Sequence, residues 1–169
     1  MDRIAIIGCG GSGKTTLSHT LADRLDTPLT HLDAIFYDGD WNTRPAEQFI
    51  ARQEGLVAAT RWVIDGNYAS TLPIRLQRAD TVIFLDVSPI VCLWGVFQRR
   101  YRYRGGQHTE QGVFDRITWG FVRYVLGYRH TMRPRVRALI AEHAAHADVV
   151  TLTSRRATRR YLADLPPAP

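Results

Sequence analysis

The sequence predicts a parallel α/β sheet covered by helices on both faces. Three observations carry that expectation: five short apolar runs alternate with stretches of helical period, a glycine-rich turn joins the first run to the first helix, and three of the runs end in an aspartate. A chain of 169 residues suits one domain, here taken as 1–169, and is long enough to bury a proper core.

The first apolar run is Arg3-Ile4-Ala5-Ile6-Ile7, and Leu17, Leu21 and Leu25 recur at helical spacing after it. Between them, Gly8-Cys9-Gly10-Gly11-Ser12-Gly13-Lys14-Thr15 fits G-x-x-x-x-G-K-[ST] without a mismatch. Strand before and helix after are the context a phosphate-binding loop requires. Glycines let successive N–H groups turn toward a phosphate, and the helix presents its positive dipole end to the same anion. Gly8, Gly10, Gly11, Ser12, Gly13, Lys14, Thr15 and Thr16 are therefore the candidate nucleotide-binding set. Lys14 is placed to reach the β and γ phosphates, and Thr15 to ligate Mg2+. Lys14 is also the only lysine of the chain, standing where a compact ammonium is wanted rather than a planar fork.

Residues 28–33 read as a short buried strand ending in Asp33, placed to accept a proton from a substrate hydroxyl or to cap the following turn. A polar loop follows, and Pro45 opens a helix toward Ala59. Residues 61–65 form the next strand, breaking at Gly66, and residues 81–85 another, followed by Asp86. Either Asp65 or Asp86 is a candidate for the magnesium shell opposite Thr15; Asp65 is favoured, because Asp86 precedes a helix-start pair, Ser88-Pro89. The helix from Pro89 is apolar nearly all round through Phe97, which predicts burial between the sheet and another element.

That helix then changes character. Gln98-Arg99-Arg100-Tyr101-Arg102-Tyr103-Arg104-Gly105-Gly106 packs four arginines into six positions, read as a short lid over about 99–112. Arg99 and Arg100 are its candidate catalytic residues, stabilising charge on a moving phosphoryl group. Residues 112–128 form an aromatic-rich helical stretch taken mostly as core, a further helix runs to about His143, residues 148–152 give a fifth strand, and Ser154 caps a last helix. The right-handed crossover rule gathers the loop, Asp33, Asp65 and Asp86 along one edge of the sheet.

Net charge is +6 and the sequence pI about 9.8, which suits an anionic partner, nucleotide or nucleic acid. The two cysteines, Cys9 and Cys92, exclude a disulfide framework and fit a reducing cytoplasm; Cys9 is read as an inert loop residue. The longest apolar run, 90–97, is far short of the ~20 residues that span a bilayer, and the N-terminus leads into the first strand with no room expected for a signal peptide.

At these residues the chain resembles the P-loop nucleotide kinase superfamily, and within it the small adenylate-kinase-like proteins called DNA topology modulation proteins. The resemblance rests on Ile6-Ile7-Gly8 through Thr16-Leu17, His31-Leu32-Asp33-Ala34-Ile35-Phe36, Trp62-Val63-Ile64-Asp65-Gly66-Asn67-Tyr68 and Ala79-Asp80-Thr81-Val82-Ile83-Phe84-Leu85-Asp86. It implies a P-loop NTPase three-layer sandwich with a five-stranded parallel sheet and a short arginine-rich lid. Asp65 falls where adenylate kinases carry an aspartate followed by Gly-Phe-Pro-Arg near magnesium; here Asn67-Tyr68 replaces Phe-Pro-Arg, and Arg44 or Arg52 is left to meet an acceptor phosphate. The activity expected is ATP- and Mg2+-dependent phosphoryl transfer to a nucleotide or similar small acceptor, with Lys14, Asp33, Arg99 and Arg100 catalytic and Thr15 and Asp65 serving the metal. The alternative is a nucleotide-switched regulator that binds nucleic acid.

Overall fold

The computed structural model describes residues 1–38, 42–102 and 117–165. Its sheet has five strands in the order β2-β3-β1-β4-β5, every neighbouring pair parallel. They are β1 (Arg3–Gly8), β2 (Leu29–His31), β3 (Trp62–Asp65), β4 (Thr81–Leu85) and β5 (Asp148–Leu152). Central β1 aligns Ile6 with Asp65 on one side and Gly8 with Leu85 on the other. The end of β1 therefore opens between the ends of β3 and β4.

Alternation along the strands divides the core in two. Ala5, Ile7, Trp62, Ile64, Val82 and Phe84 face one apolar cluster, while Ile4, Ile6, Val63, Ile83 and Leu85 face the other. Onto the first face pack α2 (Leu32–Phe36), α3 (Ala46–Val57), α4 (Leu72–Leu76) and α7 (Met132–His143). Onto the second pack α1 (Lys14–Leu25), α5 (Pro89–Arg102), α6 (Trp119–Gly127) and α8 (Arg155–Asp164). The result is the expected three-layer sandwich. As expected, Ser154 caps α8, its hydroxyl accepting from the Ala157 N–H.

Several sequence expectations need correction. The strand expected over 28–33 pairs with β3 through three residues only, and the chain turns into α2 at Leu32, so Asp33 stands in the first turn of a helix and not at a strand end. The five-residue α4 was not anticipated; Pro73 in its first turn and its short length give no helical period to read. The arginines stand, as read, at the end of the helix from Pro89, which runs through Arg102; residues 103–112 of the expected lid lie outside the described residues. That helix is not buried all round. Cys92 and Val96 face the sheet, whereas Ile90, Trp94, Phe97 and Tyr101 line an exposed stripe, because a helix on an outer layer has one face for the core. Residues 112–116 of the aromatic-rich stretch lie outside the described residues; in the rest, Val125 and Tyr128 are core and Phe121 and Tyr124 pack against it, while Trp119 and Leu126 are exposed. No helix among the described residues is long and apolar enough to cross a membrane.

The N-terminus is clamped to the start of β4 by Asp80, whose carboxylate accepts from the N–H groups of Asp2 (3.0 Å) and Arg3 (2.9 Å) while taking the Thr81 hydroxyl at 2.8 Å. Burial opposes its charge, but the hydrogen bonds from Thr81, Asp2 and Arg3 outweigh it and hold this carboxyl below its ordinary value. A folded-state value below the unfolded one contributes stability that is present above the unfolded value and lost as pH falls through the folded one. Urea unfolding midpoints followed from pH 5 to pH 2 should therefore drop less steeply in Asp80→Asn than in the native chain.

Candidate active site

The loop between β1 and α1 begins where β1 runs out of partners and turns on glycines. Gly11 (φ +77°) and Gly13 (φ +99°) lie in the left-handed region. A Cβ at Gly11 would sit 2.1 Å from the Cys92 carbonyl oxygen, so the loop lies directly on α5, whereas a Cβ at Gly13 would meet nothing within 4 Å. Gly13 is also the N-cap of α1 and brings no side chain to satisfy the helix's first amides. Those amides stand at a dipole's positive end, the arrangement that takes an anion.

Lys14 folds back across the loop, its ammonium donating to the carbonyls of Gly8 and Cys9 at 2.9 Å each. One of its three N–H groups is left over for a ligand. Ser12 is buried, and its hydroxyl has no hydrogen-bond partner.

Beside the loop, Asp65 is buried at the end of β3 with both oxygens engaged. Ser18 donates to one at 2.8 Å and His31 Nδ1 lies 3.0 Å from the other. Ser18 also reaches the Thr15 carbonyl at 2.9 Å, tying the acid to the first turn of α1. With the His31 proton on Nδ1 facing the carboxylate, its Nε2 accepts from His19 Nε2 at 3.3 Å. Asp86 is committed elsewhere: Arg133 reaches it at 2.7 Å and Arg137 at 3.2 Å, both from α7. Among the described residues no group of three or more His, Cys, Asp or Glu side chains stands together as a metal cage.

On the other side of Asp65, the Gly66-Asn67-Tyr68 turn is held by hydroxyls. Tyr68 donates to the exposed Asp33 carboxylate at 2.6 Å. Burial, reinforced by the negative charge of Asp33 and this hydrogen bond, pushes the Tyr68 phenol well above its ordinary value, so it stays a donor. Asn67 donates to Tyr124 at 2.6 Å and accepts from Tyr128 at 3.1 Å, and burial pushes both phenols upward as well. Beneath the turn, Arg75 is fully buried and donates to Gln53 and to the Gly66 carbonyl. Burial lowers its guanidinium to about 9, against the opposing pull of Asp65 and Tyr68, which leaves it charged at neutral pH.

The structure thus brings together the loop, Lys14, Thr15 and Asp65, and joins Asp33 to the turn after Asp65 through Tyr68. Arg99 is half-buried and Arg100 exposed, both on α5 but about 10 Å along its axis from the Cys92 contact with the loop. Arg44 is bound to α2 through its N–H on the Phe36 carbonyl, and Arg52 is exposed on α3. Ser18, His19, His31 and Arg75 were not singled out from sequence. Ser18 left one signal, a hydroxyl next to Leu17 on the leucine face of α1; the others depend on contacts between elements distant in sequence. A groove of about 310 Å3 between α7 and the β4–β5 edge is lined by none of the candidate residues.

Comparison with solved structures bears on the fold. The chain superposes on shikimate kinase from Acinetobacter baumannii in complex with shikimate, over 96% of its own length and 89% of that chain, with a TM-score of 0.57 and 17% identity. It is similar likewise to shikimate kinase from Bacteroides thetaiotaomicron (TM-score 0.53, 18% identity, 96% and 94% covered) and to an unliganded sugar kinase from Janibacter sp. HTCC2649 (TM-score 0.50, 16% identity, 95% and 91% covered). The fold is that of the P-loop NTPase kinases, in their adenylate-kinase-like form; at these identities the fold is what is shared. No family model and no curated protein matches the chain.

The loop's geometry separates two glycines by consequence. Gly11→Ala should lower stability in urea unfolding by about 2–3 kcal/mol, since it strains a left-handed residue and drives a Cβ into Cys92. Gly55→Ala, exposed in the last turn of α3 with nothing within 4 Å, should raise it by about 0.5 kcal/mol.

Proposed function

We propose that the chain is an ATP- and Mg2+-dependent kinase that transfers the γ-phosphoryl group to a small acceptor, a nucleotide or another hydroxyl-bearing molecule. The observation that carries this reading is the uncapped first turn of α1 at Gly13, with the Lys14 ammonium laid across the same loop. These groups bind the donor's phosphates, and Lys14 exchanges loop carbonyls for phosphate oxygens as the ligand enters. Thr15 is the residue to ligate Mg2+ and Asp65, already fixed by Ser18 and His31, the one to hold its water shell; the ion would neutralise charge on the β and γ phosphates. The commitment of Asp86 to Arg133 and Arg137 supports Asp65 over it for that duty.

Asp33 is exposed and oriented by Tyr68, as a residue must be that aligns an acceptor hydroxyl and takes its proton while the new O–P bond forms. Arg99 and Arg100 stabilise charge on the phosphoryl group in transfer. The turn after Asp65 offers hydroxyls and an amide where adenylate kinases carry an arginine. This favours a hydroxyl as the accepting group. In this reading residues 1–169 act as one catalytic unit in the cytoplasm.

The exposed Trp94 and Tyr101, beside Arg100 on α5, favour a second reading, nucleic-acid binding switched by nucleotide. Binding that tracks phosphates weakens steeply between ~50 and ~200 mM salt, which nucleotide held in a pocket need not do.

ATP turnover with Mg2+ should depend on the acceptor when nucleoside monophosphates, nucleosides and hydroxylated metabolites are compared with an acceptor-free control. Slow hydrolysis indifferent to every acceptor would count against a kinase. Lys14→Ala should lower turnover at least ~100-fold while its circular dichroism spectrum stays native; unchanged turnover would sink the assignment of the loop. In the Arg99→Ala, Arg100→Ala double variant, kcat should fall ~100-fold or more with ATP affinity within a few-fold of native, whereas equal losses would mean ground-state binding only.

A further inference from the structure

Phosphoryl transfer as described gives His31 only its hold on Asp65 and gives His19 nothing to do, yet the fold brings the two imidazoles together from separate elements. His19 stands in the second turn of α1 and His31 at the end of β2, and both are half-buried. Their Nε2 atoms are 3.3 Å apart and their ring centroids 5.0 Å, with the ring planes inclined at 48°. On the far side of its ring, His31 Nδ1 lies 3.0 Å from one oxygen of Asp65, and Ser18 fixes the other oxygen at 2.8 Å.

The 3.3 Å separation is long for a hydrogen bond, since N–H donors reach oxygen acceptors at about 2.7–3.2 Å. It matches a different arrangement. Two nitrogens bound to one tetrahedral zinc, each at about 2.0–2.1 Å, stand about 3.3–3.4 Å apart. The outer contact of His31 is of the corresponding kind, because a histidine that ligates a metal through one ring nitrogen donates the N–H of the other to a carboxylate or carbonyl. That bond fixes the tautomer and the ring orientation. With its proton on Nδ1 facing Asp65, His31 keeps the Nε2 lone pair on the side of His19.

We infer that His19 and His31 form a two-histidine site for a divalent transition-metal ion of the zinc type, bridging their Nε2 atoms. The ion takes the place of the proton that the two nitrogens share, and His19 then carries its proton on Nδ1. Imidazole suits zinc, copper and nickel, whereas Mg2+ asks for oxygen donors, so this ion differs in kind from the one proposed at Thr15. Among the described residues no third His, Cys, Asp or Glu stands with the pair, so the site is an open one whose coordination water completes. Its ligands come from a helix and a strand that the core holds in place, which sets the nitrogens before the ion arrives. The site meets the phosphate loop through Asp65, which faces His31 with one oxygen and with the other accepts from Ser18, whose hydroxyl also reaches the Thr15 carbonyl. Its existence does not rest on the kinase reading.

The test uses the untagged full chain, stripped of metal by a chelator, dialysed free of it and titrated with zinc chloride by calorimetry. Zinc should bind once per chain and should stay bound against an excess of about a hundredfold Mg2+. His19→Ala, and His31→Asn, which keeps an N–H for Asp65, should each weaken zinc at least ~10-fold while circular dichroism stays native. Asp65→Asn should weaken it ~10–100-fold, the loss that removal of such an outer partner brings. Nitrogen NMR of the imidazoles should show zinc moving the Nε2 resonances of both histidines. A native chain that binds no zinc, or binds it no better than His19→Ala does, would overturn the site. Zinc displaced by the Mg2+ excess would overturn its assignment to nitrogen donors, and native affinity in Asp65→Asn would overturn the part given to that carboxylate. No readout here uses ATP, so failure of the kinase reading would leave the outcome standing.

Discussion

A helix that is to bind phosphate at its N-terminus has to leave its first amides unsatisfied, and this constraint organises the molecule. Gly13 at the N-cap meets it by contributing nothing, where a serine or aspartate would have filled the site from within. The cost of the missing cap is a few tenths of a kcal/mol to about 1 kcal/mol, which burial offsets. Leu17, Leu21 and Ala22 seat α1 in the core, and Ser18 ties its first turn to Asp65. Rigidity is supplied from outside the helix, so that its end stays open.

Around that opening the polar groups are held by one another, through bonds that are mostly buried or part-buried. Asp65 spends one oxygen on α1 and one on β2, so a single carboxylate locks three elements at the sheet's edge. The turn after it is fixed by three tyrosine hydroxyls and by a buried arginine under the Gly66 carbonyl. Satisfied networks of this kind specify one arrangement, because breaking any member leaves a buried polar group without a partner. They also leave Asp33 at the exposed end of the chain of contacts.

Helix α5 links the loop to the surface. Its first turns lie against Gly11 through backbone, while its outer face carries Ile90, Trp94, Phe97 and Tyr101 into solvent. Whatever alters the loop is felt first by this helix, which also bears Arg99 and Arg100.

The sequence by itself determined the loop, the helix behind it and the alternating parallel sheet. Those features are local: a motif with its flanks, a leucine every turn, and apolar runs that central strands buried on both faces must have. The tertiary structure alone decided which acid stands with the loop. Asp65 and Asp86 end similar apolar runs, and only the pairing of β3 with β1 and the reach of Arg133 and Arg137 from α7 separate them. It decided likewise that Asp33 opens a helix, since β2 is an edge strand with one partner and three paired residues. Periodicity records which side of an element is buried; it carries no record of which side chains meet across the sheet.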